Sequence, residues 1–191
     1  NCRRGDQRIS HSYTLFDGRN RKIADYGVAT AVQGQSTEQR ATTYYGYDVF
    51  DHQTEMTDAN GKQTLRSYSA LGLLLREQDR RGGVTLYSYD RLGNETRSID
   101  ELGNTTRKSY DGSSRLIQEI NGAGDITEYG YDAFDRRIQI RQIGDSRTIT
   151  SQYSYDHHDR LTRYIDGEAQ VTNFQYDKRD NRTGVQDANG N

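Results

Sequence analysis

The sequence predicts an all-β fold: an antiparallel meander of 21-residue hairpin repeats whose long sheet curls or spirals. Three observations predict it. First, a tyrosine anchor recurs at Tyr47, Tyr68, Tyr89, Tyr110, Tyr131, Tyr155 and Tyr176, each 21 residues after the last except for one step of 24. Asp follows it as Asp48, Asp90, Asp111, Asp132, Asp156 and Asp177, and Ser69 takes that place once. Fixed self-similarity at roughly 20–50 residues marks a repeat architecture. Second, residues of one kind recur every second position before each anchor, the period of a strand face. Third, only 31% of the chain is hydrophobic, and 15 of those residues are tyrosine. A compact aliphatic core is therefore not expected; a thin layered sheet is.

Residues 1–42 read as an irregular, diverged first repeat with an insertion, and 43–191 as tandem repeats. In the first part Phe16 takes the tyrosine place, and the surplus before Tyr47 is expected between Ala29 and Gln39 as a loop or lengthened hairpin. Arg4-Gly5-Asp6 reads as an accidental polar triplet, because only a displayed turn gives it meaning. From Thr43 onward the frame is regular. Four places before the anchor stand Thr43, Thr64, Thr85, Thr106, Thr127, Ser151 and Thr172. Two places before it stand Tyr45, Arg66, Tyr87, Lys108, Tyr129, Tyr153 and Phe174. Threonine and aromatic residues favour strands, and this spacing puts them on one face.

Four and five places after the anchor come pairs such as Gly93-Asn94, Ser114-Arg115, Asp135-Arg136 and Asp159-Arg160. Gly, Asp, Ser and Asn supply positive φ or a side-chain acceptor, so a tight turn is expected there. A second strand follows, as in Leu74–Gln78, Glu95–Ile99 and Leu116–Ile120. It closes on a D-x-x-G turn such as Asp58 to Gly61 or Asp100 to Gly103. Two strands per period give about fourteen, and an open sheet of that length is expected to curl or close. The leucine-rich stretch after Ser69 could pass for a helix by propensity, but Gly72 in the turn slot favours strand. The three extra residues of the longer step are expected in a lengthened turn at 143–147. The tyrosines should stack into a ladder along the array, with each anchor Asp on the opposite face, bracing the turn or an adjacent strand.

Net charge is -2 with signs interspersed, which argues against a nucleic-acid or membrane surface. No apolar run approaches the roughly 20 residues of a membrane span. Cys2 is the lone cysteine and excludes an internal disulfide framework. The chain runs from Asn1 to Asn191, ending inside a Gly-Asn turn, and is expected to be a piece of a longer protein.

The segment Tyr87-Ser-Tyr89-Asp90-Arg-Leu-Gly93-Asn94-Glu-Thr96, continuing to Asp100-Glu-Leu-Gly103-Asn104-Thr105-Thr106, closely resembles the YD repeat, also called the RHS repeat. The resemblance covers 43–191 well and 13–42 loosely. That family includes bacterial RHS proteins, the B and C components of insecticidal toxin complexes, and teneurins. The resemblance implies a sheet spiralling into part of a hollow shell that, in bacterial members, encloses a C-terminal toxin. It implies a secreted or cell-surface protein whose partners are the rest of its shell and an enclosed toxin polypeptide. The Pro-containing core of the family, with its self-cleavage site, has no counterpart in a chain without proline. Autoproteolysis is therefore assigned to no residue here. The alternative is an adhesion module whose exposed tyrosines hold carbohydrate or a receptor.

No catalytic constellation, cofactor motif or metal set is read from the chain. His157-His158-Asp159 is the one cluster with ligand chemistry; adjacent strand histidines would face opposite ways, no second cluster matches them, and they fall in variable turn slots of the repeat. The Asn-x-Thr triplets at Asn94, Asn104 and Asn181 arise from the repeat's own Gly-Asn-x-Thr phrase or its variants. The residues expected to carry the architecture are Tyr47, Asp48, Tyr87, Tyr89, Asp90, Gly93, Gly103, Tyr110, Asp111, Tyr129, Tyr131, Asp132, Tyr153, Tyr155, Asp156, Tyr176 and Asp177.

Overall fold

The computed structural model describes residues 12–30 and 39–190. Cys2, the Arg4-Gly5-Asp6 triplet, His11 and residues 31–38 lie outside the described residues. The described chain is all β. Its strands are β1 (Tyr13–Phe16), β2 (Lys22–Thr30), β3 (Gln39–Tyr47), β4 (Gln53–Thr57), β5 (Gln63–Tyr68), β6 (Leu74–Gln78), β7 (Val84–Tyr89) and β8 (Glu95–Ile99). They continue as β9 (Thr105–Tyr110), β10 (Leu116–Ile120), β11 (Ile126–Tyr131), β12 (Arg137–Ile143), β13 (Thr148–Tyr155), β14 (Leu161–Ile165), β15 (Val171–Tyr176) and β16 (Arg182–Gln186). The fourteen expected strands are β3 to β16, and β1 and β2 precede them.

Two compact units divide the chain inside β7, between Tyr87 and Ser88. Within each, every strand pairs antiparallel with its neighbours in sequence. Short connections leave no other solution, since a parallel pair needs a crossover of a dozen residues or more. Just before the anchors the register slips by one, as between Ser154 and Tyr155 or Gly130 and Tyr131. Such a bulge sharpens the local twist where each hairpin turns.

Both turns of the repeat have one design. The first-turn Asp N–H reaches the carbonyl four residues on, and its own carbonyl accepts the N–H three residues on, as at Asp132 with Arg136 and Asp135. The third residue after that Asp is left-handed: Gly93 at φ +86°, Ser114 at +61°, Asp135 at +64° and Asp159 at +61°. The second turn repeats this at Gly61, Gly103 and Gly124, with Ala169 at φ +61° in the glycine place. This is a type I turn closed by a left-handed bulge residue, which matches the strand twist. Gly72 is such a residue and β6 follows it, so the leucine-rich stretch is strand.

One expectation is corrected. The extra residues of the longer step do not lengthen the turn between β12 and β13, which is only residues 144–147. They extend the strands to seven and eight residues, where each added residue gains ladder hydrogen bonds that a loop would forgo. The hairpin arms of β2 and β3 are likewise nine residues each.

Among the described residues only Ala24 and Thr64 are buried. Several strands alternate a half-buried tyrosine face with an exposed polar face, while β1 is exposed throughout and β4 and β11 are half-buried throughout. In β7, Thr85, Tyr87 and Tyr89 are half-buried while Leu86 and Ser88 are exposed, and β15 repeats the alternation with Thr172, Phe174 and Tyr176 against Asn173 and Gln175. Among the described residues no second layer of secondary structure accompanies the strands within either unit, so cohesion there comes from ladders and from contacts between successive turns.

Candidate functional site

The feature shared by successive repeats is a spine along the edge formed by the first turns. It begins with the anchor Asp. Oδ1 of Asp156 accepts the N–H groups of His158 at 2.8 Å and Arg160 at 3.1 Å, so the carboxylate caps its own turn. Its Oδ2 accepts Nε of Arg160 at 2.7 Å. The guanidinium then reaches forward, Nη1 donating to the Asp177 carbonyl at 3.0 Å and to Asp180 Oδ1 at 2.8 Å. Its plane lies 4.9 Å from the centre of the Tyr176 ring.

The same four contacts join Asp132 and Arg136 to Asp156, Asp159 and Tyr155. They join Asp111 and Arg115 to Asp132, Asp135 and Tyr131. In the first unit they join Asp17 and Arg21 to Asp48, Asp51 and Tyr47. His52 fills the arginine slot once: its Nδ1 lies 2.9 Å from Asp48 Oδ2 and its ring stacks 4.8 Å from Tyr68. Asn94 fills it again, donating to Asp90 Oδ2 and to Ser114 Oγ. Asn181 binds Asp177 Oδ2 in the same way.

The anchor hydroxyls complete the edge by donating to a main-chain carbonyl of the preceding repeat. Tyr110 donates to Glu95 at 3.0 Å, Tyr131 to Leu116 at 2.9 Å, Tyr176 to Leu161 at 2.9 Å and Tyr47 to Lys22 at 2.8 Å. Tyr155 donates to Arg137 at 3.0 Å across the longer step. Tyr87 and Tyr89 are also engaged. Tyr129 lies beneath the Arg137 guanidinium at 5.6 Å, and Tyr153 packs against Tyr164 across the β13–β14 pair at 5.1 Å.

Two expectations change here. Where an arginine fills the slot, the next anchor ring packs under a guanidinium and not on another anchor ring, because a cation over a π face answers the ring quadrupole and still uses its N–H groups at the edge. Nor does Asp point to the opposite face, since the strand ends at Tyr and alternation ends with it. Arginine at the fifth place after the anchor was visible as Arg115, Arg136 and Arg160, but a single turn does not reveal that it reaches the next one.

The electrostatics follow from these contacts. For Asp156, partial burial works to raise the pKa, but the hydrogen bonds and charge of Arg160 and the His158 N–H outweigh it and bring it to about 2. Asp132 is lowered in the same way by Arg136 and the Phe134 N–H. At Asp111 the Arg115 N–H is the main cause, and its guanidinium adds to the lowering. The arginines are shifted upward by their Asp partners. All these groups are committed to one another.

His157 and His158 lie in the turn after β13, as their place in the repeat predicts, with rings 4.0 Å apart. Among the described residues no three of His, Cys, Asp or Glu converge to hold a metal. The side chains of Asn94, Asn104 and Asn181 are all tied to the Asp that opens their turn.

A family profile described as RHS Repeat matches residues 68–105, 89–126, 110–148 and 155–191. No curated protein matches the chain. Among solved structures it is similar to a crystal structure of TcdB2-TccC3, with TM-score 0.64 and 14% identity, covering 91% of this chain and 13% of that one. It is similar also to the Photorhabdus luminescens Tc holotoxin pore carrying a TccC3 mutation, with TM-score 0.63, 14% identity and coverage of 91% and 12%. At this identity the likeness is one of fold, and the chain spans about an eighth of each neighbour. Four in-frame profile matches over most of the tandem region place this chain in the RHS repeat family.

Proposed function

We propose that this chain is a wall segment of a secreted RHS-type shell that helps to enclose a C-terminal toxin polypeptide. The observation that carries the reading is the spine. Within each unit it joins successive hairpins, through paired charges where an arginine fills the slot and through main-chain acceptors of the anchor hydroxyls, so a thin sheet with almost no buried core can extend repeat by repeat. A wall needs that property and a catalytic domain does not. The likeness to TcdB2-TccC3 supports the same reading. The role is confinement: the sheet separates a polypeptide from solvent, and its partners are the rest of the shell and the enclosed chain.

The test is limited proteolysis, followed by mass spectrometry, of the gene product that carries these repeats. Peptides C-terminal to the repeats should survive protease while the repeats are intact. They should become cleavable when Arg136→Glu and Arg160→Glu break the spine. Cleavage of those peptides at the same rate with and without an intact spine would overturn the reading.

A further inference from the structure

We infer that Arg97 and Arg107 form a binding site for a dianionic oxyanion, a phosphate group or the free sulfate ion, on the exposed polar face of the second unit. The two arginines are directly opposite each other in the β8–β9 ladder, and both are exposed. Directly opposed residues have Cβ atoms about 4.5–5.5 Å apart, and like charges there are destabilising.

The corresponding pairs on this face are not like-charged. Gln118 faces Glu128 and bonds it, Gln139 faces Gln152, and Arg163 faces Asn173. Among the described residues neither Arg97 nor Arg107 has an ion pair or a side-chain hydrogen bond. The nearby acids are committed elsewhere. Glu95 is held by Lys108 on the tyrosine face, where Lys108 pairs across to Glu119, and Glu128 is held by Gln118 and Arg141.

Two guanidinium groups side by side offer forked donors that match the geometry of phosphate and sulfate. A dianion neutralises both, whereas a carboxylate neutralises one. Ser109, two residues from Arg107 on the same face and opposite Gln118, adds a hydroxyl at the rim. The inference does not rest on the shell reading.

The experiment uses the 191-residue chain, with inorganic phosphate, inorganic sulfate and a sugar phosphate monoester as probes and acetate as control, at about pH 8, where the phosphate groups are dianionic. All are compared with sodium chloride at equal ionic strength. Binding is followed by amide shifts in NMR and by the unfolding midpoint. Phosphate and sulfate should shift amides of β8 and β9, and Arg97→Gln or Arg107→Gln should each weaken binding about tenfold, the worth of a charge-assisted hydrogen bond. Arg163→Gln, on the same face, should leave binding unchanged. In chloride, Arg97→Gln should raise the midpoint by relieving repulsion, and phosphate should cancel that gain. Stronger binding of the sugar phosphate than of inorganic phosphate would identify an ester-borne group as the natural source; equal binding would identify the free ion. A gain from Arg97→Gln that is the same in chloride and phosphate, or amide shifts that survive both substitutions, would overturn the site.

Discussion

The guanidinium of Arg136 lies 5.1 Å from the centre of the Tyr155 ring while its Nε donates to Asp132 at 2.8 Å. One side chain thus closes its own turn and covers the anchor of the next repeat. Arg136→Lys keeps the charge but loses the planar fork, so it should behave nearly like Arg136→Ala. Both should lower the unfolding midpoint by about 2–4 °C, the scale of one lost contact in a chain of this size. Thermal melts of the two variants check this. A lysine variant as stable as the parent would show that charge alone suffices.

Acid should loosen the spine from its carboxylates. The folded pKa of Asp156 is about 2, below the unfolded value of roughly 3.9. Its contribution is therefore fully present above about pH 4 and is lost as pH falls toward 2. Asp48, Asp90, Asp111, Asp132 and Asp177 are lowered in the same direction. Carboxyl titration by NMR should show these residues titrating below the unpaired carboxylates. Asp156→Asn should flatten the fall in stability between pH 4 and 2.

Tyr110 donates its hydroxyl to the Glu95 carbonyl at 3.0 Å. Tyr110→Phe keeps the ring and leaves that acceptor without its donor, a loss of about 1 kcal/mol. Denaturant titration should move the midpoint without changing the slope, because the exposed surface on unfolding is nearly unchanged.

Two glycines should fail for different reasons. Gly103 sits at φ +84° with open space where a side chain would go. Gly103→Ala should therefore cost only the backbone term, about 1–2 kcal/mol, and Gly103→Asn less, since Asn tolerates this region. At Gly122 a Cβ would stand 2.6 Å from Asn104 Cβ. There Asn and Ala should be equally disruptive, because the obstacle is the neighbouring turn. A stability series over the four variants separates the two causes.

The hairpin frame was legible because a strand face and a tight turn are local. Asp132, the left-handed Asp135 and the strands around them lie within one period, and each residue's own chemistry states its role. The spine was not legible at the level of single turns. Arg136 reaches Asp159, 23 residues away, and the same slot holds His52, Asn94 and Leu73 in other repeats. The placement of the extra residues near Gly144 was misread for a related reason: strand length is decided by the ladder partner, which a single segment does not contain.

By itself the sequence determined the period, the all-β class, both turn positions and the half-buried tyrosine face, because these depend on φ preferences and on alternation within a few residues. Only the tertiary structure decided that a guanidinium covers the next anchor ring, that anchor hydroxyls bind the preceding repeat, and that Arg97 stands opposite Arg107. Those contacts join residues about 10–25 positions apart, and strand register, a cooperative property of neighbouring strands, sets which of them meet.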